Sequence, residues 1–368
     1  EIPVQYTRKQ IFEFAESELL AIENELKAPG TNEYGRVDRV AGWFLLARMY
    51  LNAQTWINEN KYQEAYTYAT KVIADGHYPL ASDYREIFLA DNNTCKEIIW
   101  PLVQDGLRAQ SSAGTNFYVK AFVNGPMDEL YKTGVGSRGW GNVRAKVSLV
   151  DAFDADDVMF DGNDTWGNNK KDKRAQFMTA LPNQVKDTWD VNMDMTSTFT
   201  CGYGYIKWRN VTKKDELSAS GDAYTSIDFP LFRTADAYLM AAEAILRGAS
   251  GTQSEALGYV NEVRTRAYMS GKYAKSGVRS DVSGEIGANE LDLDFLLLER
   301  QKELASELIR RTDLIRFGKY TKGNNWDWKN GVRLGEDVDD KYNLFPIPES
   351  ELTNNPTLVQ NDGYKVIK

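Results

Sequence analysis

The stretch Leu298–Gly318, LERQKELASELIRRTDLIRFG, interleaves acids and bases along a helical pattern and closes on a short basic turn. Glu307 stands three and four residues before Arg310 and Arg311, and Asp313 stands three before Arg316. On a helix those spacings make side chains neighbours. Charges arranged in this way can form an active site, a binding surface or an internal clamp. Interleaved charge on a helix is usually a salt-bridged solvated face, where each exposed pair contributes only about 0.3–0.5 kcal/mol. Partly buried, the same set would fix one geometry between this helix and its neighbours.

Outward from that stretch the chain is helical at both ends. The spacing predicts a first helix from Arg8 to Lys27, opened by a Thr7–Gln10 capping box. Its apolar stripe would be Ile11, Phe14, Ala15, Leu19, Ile22 and Leu26. Helices over Val40–Ala53 and Tyr62–Asp75 alternate small and large residues across a short connector, the pattern of a tetratricopeptide-type pair. A second pair is expected at Leu231–Arg247 and Glu255–Ala267, just before the charged stretch. Between the pairs helical periodicity fades, and Gly, Asn, Asp and aromatics take over. The expected architecture is one mostly α domain over 1–368. Residues 1–96 and 229–320 form the helical scaffold, 97–228 a loop-rich binding region, and 321–368 an irregular tail packed on the scaffold.

The totals exclude several functions. A net charge of −9 does not suit nucleic acid, whose phosphates need a basic face. No apolar run reaches the length of a transmembrane helix. Two cysteines, Cys95 and Cys201, and one histidine, His77, are too few for a Cys/His zinc site. A Ser-His-Asp triad would have to use His77, which lies in DGHYPL, where Gly76 and Pro79 read as the end of a helix. Gly134-Val-Gly136-Ser-Arg-Gly139 fits GxGxxG but lacks the flanking strand and helix of a dinucleotide site. It reads as a loop presenting Arg138 and Trp140. Asp154, Asp156, Asp157, Asp161 and Asp164 crowd one segment and leave a calcium ion open, although the EF-hand spacing is not met. A glycosidase would need two flanking carboxylates, and 53 acids make such a pair uninformative. The chain opens on Glu1, with no signal peptide or lipid-attachment cysteine before Ile2, and reads as a piece of a longer precursor.

The chain holds 20 Tyr, 15 Phe and 9 Trp, and the loop-rich region carries many of them. It is too aromatic for disorder. Sugar rings present apolar C–H faces that lie flat on aromatic rings, while Asn, Asp and Arg take the hydroxyls. Trp166 and Trp189 are candidate platforms on that ground, because their loops are rich in Asn, Asp and Gly.

ER-x-x-EL-x-x-E at Glu299–Glu307, then Arg310 and DL-x-R-FG at Asp313–Gly318, resembles the SusD/RagB family. So do Leu344-Phe-Pro-Ile-Pro348, Asn355-Pro356 and the Gln360–Tyr364 tail. LFRTADAYLMAAEA at Leu231–Ala244, NEVRTRA at Asn261–Ala267, and YGR at Tyr34–Arg36 with ARMYLNA at Ala47–Ala53 also match. The resemblance implies a right-handed tetratricopeptide-like scaffold with an irregular binding region. It implies a surface-exposed lipoprotein of the bacterial outer membrane that captures glycans, or in some branches peptides, and passes them to a SusC-like TonB-dependent transporter. It implies no catalysis, no cofactor and no metal. Membrane contact would be only through an N-terminal lipid anchor, which this chain does not contain. Within the motif-bearing loops the resemblance points to Trp140, in GWGN, as a stacking platform, with Tyr118 and Asn116 upstream. In this family the charged helix is structural, which favours the clamp. Leu308 departs from the pattern, which usually has Gly there. The alternative is a helical-repeat scaffold that grips a peptide or protein partner.

Overall fold

A computed structural model of the chain describes residues 2–124, 127–128, 131–158, 170–179, 203–269, 283–323, 326, 331–332 and 335–365. Helix α1 spans Arg8–Ile22, and its capping box forms as the sequence predicts: Gln10 N–H donates to the Thr7 hydroxyl, and Thr7 N–H to the Gln10 side chain. The buried residue of α1 is Phe12, with Ala15 and Leu19 half-buried. Ile11 and Phe14 of the expected stripe are exposed instead, Phe14 at 65%. The helix packs chiefly on α2, Arg39–Ile57, and a helix with one main neighbour buries one stripe only. The apolar residues of α1 exceed that stripe, so the rest face outward.

Helix α2 starts on Asp38, whose carboxylate accepts from Val40 and Ala41 N–H, and stops at Asn58 in the left-handed region (φ 58°). Helix α3 spans Tyr62–Asp75 and ends on Gly76 (φ 72°), as the DGHYPL reading requires. His77 follows that cap, with its N–H on the Asp75 carboxylate and its ring edge-on to Tyr78.

From α3 the chain leaves the scaffold through β1, Ile98–Leu102. It then builds helix α4, Thr115–Ala121, the short turns α5, Val147–Val150, and α6, Ala155–Val158, and the ribbon of β2, Phe177–Thr179, with β3, Tyr203–Tyr205. It returns by β4, Phe229–Arg233, antiparallel to β1, with Ile98 opposite Arg233 and Leu102 opposite Phe229. Residues 231–233, read as the start of a helix, are therefore strand. Their alternation places Phe232 on Phe44 (ring centroids 4.6 Å, stacked) and Arg233 among acids. Helix α7, Thr234–Leu246, starts at the next residue. It is buried nearly all round because its alanines face two cores. Ala237, Ala241 and Ala244 meet α1–α3, whereas Ala235, Leu239 and Ala242 meet α8, Gln253–Met269, and α9, Leu293–Leu304. The two helix pairs thus join through α3 and α7. The large intervening segment has its own core around Tyr84, Phe88, Phe177, Tyr205 and Trp208.

The Leu298–Gly318 stretch is two helices rather than one. After α9 the backbone breaks, with Ser306 and Leu308 both at φ 62°, and α10 runs Arg310–Arg316. Glu307 is therefore not a helical neighbour of Arg310 or Arg311. It faces Arg233 (2.6 Å) and Lys207, from β4 and the large insert. The Asp313–Arg316 pair forms as spaced, at 2.8 Å.

Glu299, Arg300, Glu303, Glu307, Asp313 and Arg316 of this stretch are buried, and Lys302, Arg310 and Arg311 half-buried. Glu299 binds Arg174 and Arg264, each at 2.6 Å, and Glu303 binds Arg233 at 2.6 Å, Arg174 at 3.2 Å, and Arg266. Glu97, just ahead of β1, binds Arg233 and Arg266. A second cluster links Arg300 to Asp236 and Asp313, and Arg316 to Glu243 and Asp313, at 2.7–2.9 Å. Burial alone would raise the Glu303 carboxyl, but Arg266, Arg233 and Arg174 outweigh it and hold the group at about 2. Burial lowers the Lys207 ammonium to about 8 in spite of Glu307 beside it. The opening stretch is the internal clamp: it ties scaffold helices to β4 and to the insert residues Arg174 and Lys207.

Candidate functional site

Helix α4 ends with carbonyls that lack intrahelical donors, as every helix C-terminus does. The loop 139–143 supplies them. Trp140 N–H donates to Lys120 O at 2.8 Å, Asn142 and Val143 N–H to Ala121 O at 2.8 and 2.9 Å, and Gly141 N–H to Val123 O at 2.9 Å. The approach is close: a Cβ on Gly139 would lie 2.4 Å from the Val123 carbonyl oxygen. This clamp sets the Trp140 ring beside Phe117 of α4, with centroids 6.2 Å apart and planes 59° apart. Both rings reach the surface, Trp140 at 36% and Phe117 at 42% exposure. A large exposed aromatic pair on a clamped loop is a ready stacking surface.

Polar groups frame the pair. Arg138 and Asp222 form a surface ion pair at 3.1 Å. Lys120 donates to Ala223 O and lies over the Tyr224 ring at 5.8 Å. Burial, with Arg138 nearby, lowers the Lys120 ammonium. Asn142 is exposed next to the shelf. The shelf combines apolar ring faces with hydrogen-bonding groups, and its charges are paired or tied down. That chemistry suits a neutral polyhydroxylated ligand.

The candidates named from sequence fall in different places. Trp140 lies on the shelf. Tyr118, one residue from Phe117, is half-buried and stacks inward on Trp208 (5.3 Å, 27°) and close to Phe229. It supports the shelf from below. Asn116 is 3% exposed, and its side-chain amide donates to Ser111 O, so it is turned away from the surface that Trp140 shares with Phe117. Trp166 and Trp189 lie outside the described residues. Trp208 and Trp100 are inward-facing: Trp208 packs on Phe88 and Phe229, and Trp100 donates to Gly35 O. Of the acidic segment, Asp157 is buried and accepts from Lys171 and Asp172 N–H, so burial raises it while it caps a turn. Asp161 and Asp164 lie outside the described residues, and among the described ones no acid, Cys or His group is placed to hold a metal ion. Sequence reasoning missed Phe117, Lys120, Asn142 and Asp222. Phe117, as the neighbour of Tyr118, and Asn142, inside the GWGN motif, carried a local signal; Lys120 and Asp222 converge through tertiary contacts.

Known proteins share this chain's pattern. The profile of the SusD family matches residues 96–364. The starch-binding protein SusD of Bacteroides thetaiotaomicron is 32% identical over 99% of this chain and 67% of its own length. A SusD-like protein of Formosa agariphila is 25% identical over 89% of this chain and 59% of its own length. The chain thus spans about two thirds or less of these relatives. Among solved structures, surface glycan-binding protein A of Bacteroides thetaiotaomicron, in complex with laminarihexaose, superposes with a TM-score of 0.65 at 21% identity, over 97% of this chain and 72% of that one. A SusD superfamily protein of Bacteroides vulgatus gives 0.68 at 20%, over 100% and 68%. These last two show the shared fold. With a family profile over most of its length and a relative at 32% identity along nearly all of it, the chain belongs to the SusD family, whose members are binding proteins rather than enzymes.

Proposed function

We propose that the chain is part of a cell-surface glycan-binding protein that captures oligo- or polysaccharide on the Phe117–Trp140 shelf. The observation that carries this reading is the pair of exposed rings held at a tilt by a loop whose Trp140, Gly141, Asn142 and Val143 N–H groups bond to carbonyls at and just past the end of α4. The names of the relatives, a starch-binding protein and glycan-binding proteins, support the ligand class. On the same reading, residues 97–228 are the binding region, Trp140 is its principal platform, and Trp166 and Trp189 are further candidates. Capture at the surface of the outer membrane would precede delivery to a TonB-dependent transporter.

Affinity electrophoresis in gels cast with starch or with laminarin tests the site. Wild-type protein should be retarded by one of the two, and Trp140→Ala should run as in a gel without sugar while keeping its melting temperature. Equal retardation of Trp140→Ala would remove the shelf from the site. Absence of any retardation, with a co-purifying protein partner instead, would favour the peptide-scaffold reading.

A further inference from the structure

A second aromatic enclosure lies between α10 and the tail. Its cavity, about 620 Å³, falls within the range of small-ligand pockets. Tyr320, Trp326, Tyr342, Phe345 and Tyr364 line it, and none of them contributes to the Trp140 shelf. Tyr320 and Trp326 stand at 74°, and Tyr342 and Tyr364 at 81°. In each pair the rings meet edge to face, and Tyr342, 47% exposed, keeps aromatic surface open beside Phe345.

The enclosure is held in advance. Arg311 of α10 lies over the Tyr320 ring at 4.9 Å and the Phe345 ring at 4.3 Å, and donates to Tyr342 O and Asn343 O. The Tyr364 hydroxyl donates to Leu344 O at 2.7 Å and Lys341 O at 3.1 Å. The Trp326 indole N–H donates to Tyr320 O at 2.9 Å. With this backing Phe345 still stands 71% exposed. A fixed aromatic ring left this open is the mark of a surface that something covers.

The polar groups indicate what covers it. Asp337 accepts Gly323 N–H through one carboxylate oxygen; Asp339 accepts Lys341 N–H and lies 3.8 Å from Lys341 Nζ through its other oxygen. Asp337 forms no ion pair among the described residues. Arg311 in the lining, with Lys341 Nζ over the Tyr342 and Tyr364 rings, disfavours a cationic occupant, and the two aspartates disfavour an anionic one. Ring faces bordered by carboxylate acceptors fit a neutral ligand with an apolar face and adjacent hydroxyls. We propose that this enclosure is a second saccharide-binding site, independent of the shelf around Trp140.

Isothermal titration of the 368-residue chain with maltoheptaose and with laminarihexaose tests the site. The expected result is two oligosaccharides per chain for wild type, one for Trp140→Ala, and one for the Tyr342→Ala, Phe345→Ala double variant. The removed site should weaken roughly tenfold or more. Should the double variant melt early, Phe345→Ala alone removes a ring that is 71% exposed and should weaken only the tail site. Stoichiometry unchanged in the double variant, or uptake abolished outright by Trp140→Ala, would overturn the second site and leave the first reading standing. Conversely, binding lost in the tail variant but not in Trp140→Ala would sink the shelf and keep the enclosure. No uptake of either sugar by wild type counts against both. Uptake of a tripeptide mixture instead of sugar, lost in Tyr342→Ala, would overturn the saccharide assignment.

Discussion

Leu308 occupies backbone space that a side chain rarely tolerates, at φ 62°, with its own side chain 77% exposed. A Cβ in the left-handed region strains against the carbonyl that follows, by roughly 1–2 kcal/mol. The exposed side chain recovers little of that by burial. Leu308→Gly should therefore stabilise the chain by about 1 kcal/mol and raise its melting temperature by about 2 °C. A lower melting temperature in a calorimetric scan would show that Leu308 makes a contact outweighing the strain. The departure from the family pattern is plain in the letters; its cost follows only from the φ angle. Asn116 gives the opposite lesson. Its residue type suits sugar hydroxyls, yet the turn of α4 buries it, because helical phase and not residue type decides which way a side chain points.

At the scale of elements, the loop 139–143 and the end of α4 behave as one piece. The loop positions Trp140 through backbone bonds alone, so the shelf can be disturbed without touching its rings. Gly139→Ala would press a methyl group against the Val123 carbonyl. It should weaken retardation in the sugar gel several-fold while Trp140 is intact. Retardation equal to wild type would mean that the loop accommodates the methyl and that the clamp does not set the shelf. The break between α9 and α10 works on the same scale. It takes Glu307 off the helix and delivers it to Arg233 and Lys207. Glu303→Gln would leave Arg174, Arg233 and Arg266 short of one carboxylate. Such a loss in a buried network destabilises by roughly 3–5 kcal/mol. The variant should melt lower and, while folded, still be retarded in the sugar gel, since the shelf lies elsewhere. An unchanged melting curve would refute the clamp.

For the molecule as a whole, the buried clusters predict its acid response. Glu303 titrates at about 2 against its ordinary 4.5, and Asp236 at about 2 against 3.8, where burial opposes and Arg300 and Arg48 prevail. Between those values the unfolded chain binds more protons than the folded one. The stabilisation is complete above about 4.5 and is lost as pH falls toward 2. Denaturant midpoints should fall across that window, and Glu303→Gln should fall less steeply there; parallel curves would contradict it. Much of this architecture was legible in the letters. The capping box at Thr7, the stop at Gly76, the helix pairs and the aromatic loop region follow from local propensity and periodicity, which act over a few residues. The place of the charged stretch in a clamp was favoured only by the family resemblance, since its local pattern fits a solvated face equally well. Its partners were not legible: Arg174, Lys207 and Arg233 lie about 70 to 130 positions away, and only a packed interior brings them to Glu303 and Glu307. The same reason separates Trp140, whose motif marked it, from Phe117, Lys120 and Asp222, which the fold alone gathers around it. Local sequence determined which segments are helices and which are loops. The tertiary structure decided which faces those helices bury, where the chain bends at Ser306 and Leu308, and which rings remain at the surface, because burial, ion pairing and backbone strain depend on neighbours distant in the chain.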